Sequence, residues 1–315
     1  SDVPEDPYIV TTLERYFPER LRKAYHAQIH RHPLKREIIS THVVNSMVNR
    51  VGPTFAHRLH EETGASTPDI VRAYLGTRQT FDLVSLWVAN DALDHKIDMA
   101  TQNDIVRTSV RLIERGTLWL LSEREALRDL DATITRFSAG VAKVVDELER
   151  WMVEAERDAR QADTRGLLAR GVPEALAQRV ARLEAQASGL DIVDLSEETG
   201  LDIETVGGVY FGIGGRLSLG WVSQQIVALP AESHWQTMAR LAMRNDLTSL
   251  ARELARSALK GVKKPAPADE LIAAWEGQRE FKLQRARQLL ADLQPLTSLD
   301  MAMLSVLLRE LRSLV

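Results

Sequence analysis

The chain has 315 residues, 44% apolar and 27% charged, with a net charge of −4 and no cysteine. That length can bury a large core as one elongated domain or as two compact ones. The missing cysteines exclude disulfides, thiolate metal sites and cysteine nucleophiles, and the acidic balance gives no reason to expect nucleic acid or an anionic membrane as partner.

Strand patterns are nearly absent and helical periodicity runs almost throughout, so the sequence predicts an all-α fold, an elongated multi-helix bundle. No window reaches the roughly 18 uninterrupted apolar residues of a membrane span. The opening, Ser1 to Pro7, is acidic, has no signal-peptide pattern and lacks an initiator Met, as expected of a piece from a longer chain. Leu13, Phe17, Leu21, Tyr25 and Ile29 step by four and predict a first helix with one apolar face. His32-Pro33 breaks it, because the proline ring clashes with a continuing helix. A second helix is expected from Leu34 to Val51, stopping at Gly52-Pro53. His42, Asn45 and Asn49 form a polar line on it, sharing one face through spacings of three and four. Interhelical hydrogen bonds are the favoured reading of that line, and a contact to another domain is the alternative.

The next segment carries a phrase that the chain uses twice. Glu61-Glu62-Thr63-Gly64 returns as Glu197-Glu198-Thr199-Gly200, an offset of 136 residues. Tyr74-Leu75-Gly76 and Tyr210-Phe211-Gly212 follow the two copies, and then Trp87 and Trp221. Such self-similarity suggests a helical unit used twice. Each glycine can close a helix in the left-handed conformation. Thr67-Pro68 and Asp202 supply restart signals. The segments 53–90 and 190–227 are therefore expected to share a helix, a turn and a long helix.

Between the copies, Ser122-Glu123-Arg124-Glu125 has a capping-box pattern and predicts a helix start. Ile134, Phe137, Val141, Val144, Leu148, Trp151 and Ala155 then form a heptad seam. Packing within its own fold is the favoured partner for this seam over an intermolecular coiled coil. Gly171-Val172-Pro173 starts a further helix, and Lys263 to Ala268 reads as a linker before the last two helices. Leu299 to Val315 is expected to be an amphipathic terminal helix. The expected organisation is an N-terminal helical subdomain (1–121), a long heptad-patterned connecting helix (122–170) and a C-terminal helical subdomain (171–315).

Four constellations could carry chemistry. His26 and His30 lie one helical turn apart, and His57, His60 and Glu61 share another face. A zinc site needs three or four convergent ligands, so hydrogen-bonded or surface histidines, and no metal, are expected. Gly207-Gly208 and Gly212-Ile213-Gly214-Gly215 resemble a dinucleotide turn, but Leu217 stands where G-x-G-x-x-G requires its last glycine. Close helix packing is the expected role, without a cofactor. Leu195 to Val206 has helix-turn-helix spacing, yet its second helix opens Asp202-Ile203-Glu204, whose carboxylates repel phosphates. The polar line at His42, Asn45 and Asn49 completes the set; catalytic residues are not expected in this chain.

Specific text adds a resemblance. Ser1-Asp2-Val3-Pro4-Glu5-Asp6-Pro7-Tyr8, Tyr16-Phe17-Pro18 and His32-Pro33-Leu34-Lys35-Arg36-Glu37-Ile38-Ile39 resemble the large-subunit bacterial NAD-specific glutamate dehydrogenases. So do Asn45, Asn49-Arg50-Val51-Gly52, Thr54-Phe55 and, downstream, Val209-Tyr210-Phe211, Leu229-Pro230, His234-Trp235 and Ala239-Arg240. The resemblance implies a helical C-terminal region following an upstream catalytic domain that holds NAD and the glutamate-binding residues. It further implies a cytoplasmic parent enzyme, an oligomer of identical subunits, in which this region serves assembly or control. An independent helix-turn-helix DNA-binding regulator and a self-associating helical scaffold are the alternatives.

Overall fold

The computed structural model describes residues 13–14 and 16–315. The text quoted from 1–12 lies outside the described residues. Among the described residues the regular structure is helical, without strands, so the fold is all-α. The chain divides into two compact units, Ser1–Val141 with Thr164–Ala187 and Ala142–Asp163 with Ser188–Val315. Residues 171–187, assigned above to a C-terminal subdomain, therefore cluster with the first unit.

The first unit contains α1 (Glu19–His30), α2 (Lys35–Val51), α3 (Phe55–Thr63), α4 (Thr67–Thr80), α5 (Leu83–Asp91) and α6 (Met99–Ser122). It also takes the first half of α7 (Leu130–Trp151), the end of α8 (Glu154–Ala169) and all of α9 (Glu174–Gln186). Its centre is α4, which packs on α3, α5 and α6. Ile70, Ala73, Tyr74 and Leu75 are fully buried there, and Gly76, Thr77 and Arg78 are buried too. Burying Ile70 or Leu75 contributes about 1.5–3 kcal/mol of transfer free energy each. Hydrogen bonds pair some of the buried polar groups of this core: Trp87 Nε1 donates to Ser109 Oγ at 2.9 Å, and Thr77 Oγ1 donates back to the Ala73 carbonyl at 2.8 Å.

The second unit is built around α11 (Ile203–Arg216). It is surrounded by α10 (Gly189–Thr199), α12 (Leu219–Ala228), α13 (His234–Leu259) and α14 (Ala268–Gly277). Two further helices, α15 (Glu280–Leu293) and α16 (Met301–Arg312), close the chain. Asp300 caps α16 by accepting from the Met303 amide at 2.8 Å, and Leu304, Leu307, Leu308 and Leu311 bury its apolar face. The expected terminal amphipathic helix is thus present, docked on α13 and α15.

The repeated phrase produces the same turn and caps twice. Gly64 and Gly200 end α3 and α10 with φ of 66° and 70°. Thr63 and Thr199 each donate a hydroxyl to the carbonyl four residues back, both at 2.6 Å. Ser66 and Asp202, also 136 residues apart, cap α4 and α11 by accepting from the amides of Asp69 and Thr205. Both capped helices have 14 residues and end before a left-handed, non-glycine residue, Asp82 at φ 48° and Ser218 at φ 53°. The expected long helix is therefore two helices in each copy, because a left-handed residue interrupts the helical hydrogen-bond ladder. The tryptophans fall out of register, since Trp87 corresponds to Ser223 and Trp221 to Ser85 at that offset.

Other expectations need correction. Pro18 precedes α1, whose φ/ψ path is itself interrupted at Tyr25 (φ −130°). Leu13 and Ile29 are buried, but Leu21 and Tyr25 are 44% and 52% exposed. A strict four-residue step drifts about 40° per repeat on a 3.6-residue helix, so the five apolar residues never shared one face. Ser122 ends α6 by donating to the Trp119 carbonyl, and Arg124–Leu127 is a short 3₁₀ turn. The helix expected there begins only at Leu130, with Asp129 accepting from the Ala132 amide at 2.9 Å. Nor is 122–170 one helix, because Met152 and Val153 separate α7 from α8. The linker at 263–268 precedes three helices, not two.

Candidate functional site

The glycine-rich stretch lies within α11, in the interior of the second unit. A Cβ on Gly207 would enter the six-membered ring of Trp151, and one on Gly215 would enter Val153. At Gly208 it would meet Ala268 Cβ at 2.9 Å, and at Gly212 Ile272 Cδ1 at 2.5 Å. Trp151 stacks on Phe211 with ring centroids 6.1 Å apart. These four glycines let neighbouring side chains reach the helix backbone, so they serve helix packing, while Gly214 has nothing within 4 Å.

The helix-turn-helix text has the expected local shape, but its second helix is interior. Beyond Glu204 no residue of α11 is exposed, and Glu204 lies 3.1 Å from Arg150. A recognition helix must present base-reading side chains to a groove, and beyond Glu204 those of α11 are buried or half-buried. The acidic phrase itself has a packing role: Glu198 receives both Nε and Nη2 of Arg256 at 2.9 Å, tying α10 to α13. Asp194 on α10 accepts from Arg252 Nη2. Tyr210 donates to Asp191 Oδ2 at 3.1 Å, whereas Tyr74 donates to the Ser46 carbonyl at 3.2 Å, with burial pushing its phenol up.

The heptad seam also finds partners within the chain. Phe137 meets Trp119 edge-on at 5.1 Å in the first unit, and Trp151 stacks on Phe211 in the second. Ile134, Phe137, Val141, Val144 and Leu148 are buried, Trp151 is half-buried and Ala155 is exposed.

On α2, Ile39, Val43 and Met47 bury one face. Asn45 and Asn49 lie on the exposed side beside Val44, which is 47% exposed, while His42 is half-buried. The favoured interhelical role therefore does not describe Asn45 and Asn49. Next to them Arg50 pairs with Asp91 at 2.7 Å and lies 5.0 Å over the Trp87 ring. Of the histidines, His57 is exposed, and His60 Nδ1 lies 2.8 Å from the Ala65 carbonyl, closing the Gly64 turn. His26 and His30 converge on Glu14, which helical spacing does not connect with them.

No helix among the described residues is long and apolar enough to cross a membrane. The family described as glutamate dehydrogenase, C-terminal, matches residues 1–313. NAD-specific glutamate dehydrogenases of Halomonas elongata and Pseudomonas aeruginosa are each 33% identical, over 99% and 100% of this chain. The enzyme of that name from Mycobacterium tuberculosis is 30% identical over 99% of it. The chain spans 19% of the length of these relatives. Text, all-helical fold and match agree: the chain belongs to the family of glutamate dehydrogenase C-terminal regions.

Proposed function

We propose that this chain is a non-catalytic helical region of an NAD-dependent glutamate dehydrogenase, acting in assembly or control of the catalytic domain upstream. The parent reaction would convert L-glutamate, NAD and water to 2-oxoglutarate, ammonia and NADH. The observation that carries this reading is the packing of the glycine stretch: Gly207, Gly208, Gly212 and Gly215 meet Trp151, Ala268, Ile272 and Val153. NAD is accordingly assigned to the part of the parent outside this chain.

The exposed side of α2, with Asn45 and Asn49 beside half-buried His42, is the surface we assign to contact with that catalytic domain. Amides suit such a contact because they pair with polar groups of either sign without the desolvation cost of a charge. The parent is proposed to be a cytoplasmic homo-oligomer, with neither nucleic acid nor membrane as partner. The shared caps and left-handed breaks support descent of 53–90 and 190–227 from one duplicated unit.

The test is removal of this region from the full-length parent, followed by sedimentation and steady-state kinetics. A changed subunit assembly or a changed response to glutamate and NAD is expected. An Asn45→Arg/Asn49→Arg variant of the full-length chain should show part of the same effect. Unchanged assembly and kinetics after removal would overturn the proposal.

A further inference from the structure

Among the described residues, one group of three potential metal-ligating side chains converges: Glu14, His26 and His30. His30 Nε2 lies 2.6 Å and His26 Nε2 3.1 Å from the same carboxylate oxygen, Glu14 Oε1. The two imidazole ring centroids are 4.6 Å apart, with planes inclined at 44°. All three ligand atoms lie within 4.8 Å of one another. The i, i+4 spacing on α1 aligns the imidazoles, and the chain bend at Phe17-Pro18 returns Glu14 to them. Glu14 and His30 are one-third exposed and His26 two-thirds exposed, so one side of the group is open to solvent.

We propose that Glu14, His26 and His30 form a binding site for a first-row transition metal, with Zn²⁺ as the fitting ion. Two imidazole nitrogens and one carboxylate oxygen are the donor set of open, three-ligand zinc sites, which leave the fourth position to water. Ligand atoms of a tetrahedral zinc site stand about 3.3 Å apart, given metal–ligand lengths near 2.0–2.1 Å. The two nitrogen-to-oxygen separations, 2.6 and 3.1 Å, lie just below that value, so occupation requires Glu14 Oε1 to withdraw from both imidazoles. Hard ions such as Mg²⁺ prefer all-oxygen shells and do not fit two imidazoles. Bound metal would clamp the segment before Pro18 onto α1, a role independent of the dehydrogenase reading.

The experiment is calorimetric titration of the tag-free 315-residue chain with zinc chloride, with magnesium chloride as the second arm. One equivalent of Zn²⁺ is expected to bind, undisturbed by Mg²⁺. Glu14→Gln should weaken it about tenfold or more, the scale on which even outer-sphere partners count, and His26→Gln/His30→Gln should abolish it. The Co²⁺ complex of the wild-type chain should show intense tetrahedral visible bands. Absence of a stoichiometric equivalent in the wild-type chain overturns the proposal without reference to any variant. Binding undiminished in the double variant overturns it as well, leaving two histidines that hydrogen-bond one carboxylate.

Discussion

Replacing Gly207 by alanine tests whether the glycines of α11 serve packing. The new Cβ would enter the indole of Trp151, which is held by its stack on Phe211. Overpacking of this kind costs about 1–3 kcal/mol, while glycine-to-alanine replacement in a helix interior returns about 1 kcal/mol. The net expectation is a loss of about 1 kcal/mol. Gly214, seven residues along the same helix, has nothing within 4 Å of its virtual Cβ. Gly214→Ala should therefore stabilise, by up to about 1 kcal/mol. Urea unfolding followed by circular dichroism reads both as shifts of midpoint in opposite directions. In a Trp151→Val background the Gly207→Ala penalty should vanish, a coupling of about 1 kcal/mol or more. If Gly207→Ala stabilises as much as Gly214→Ala, Trp151 does not occupy that face and the packing explanation of the glycines is wrong.

Gly64→Ala and Gly200→Ala should each cost about 1 kcal/mol, because both residues hold positive φ with open space around them; thermal unfolding that penalises one and spares the other would break the equivalence of the two turns. Glu156 lies against Gly220, its Oε2 is buried without a hydrogen-bond partner, and burial raises its pKa. Above the ordinary carboxylate range the unfolded chain has released this proton while the folded chain retains it, so this residue's contribution to stability falls as pH rises towards the raised value. Glu156→Gln should accordingly gain about 0.5–1 kcal/mol at neutral pH, with the gain disappearing in acid; a gain that grows on acidification would reverse the assignment.

Much of the fold was legible where one residue determines its local backbone. Gly52, Gly64 and Gly200 stop helices at positive φ, and Asp202 caps α11. The buried heptad residues from Ile134 to Leu148 were visible for the same reason, since periodicity marks a core face directly. Patterns that admit two readings misled. Ser122 satisfies a capping-box pattern, yet it ends a helix, because its hydroxyl bonds backwards to Trp119. The breaks at Asp82 and Ser218 gave no warning, since neither is glycine, though aspartate tolerates the left-handed region better than most residues. The Glu14 cluster was hidden because its carboxylate lies 12 and 16 residues from its histidines, across a bend that helical spacing does not describe. The exposure of Asn45 and Asn49 depends on which neighbours cover α2, and a single helix pattern does not contain that information.

We propose that this family member supplies structure, with chemistry residing elsewhere in the parent. The most direct test is glutamate-dependent NADH formation by the folded 315-residue chain alone. No turnover above the enzyme-free blank is expected at saturating glutamate and NAD. A rate that scales with the concentration of this chain and saturates in both substrates would contradict it.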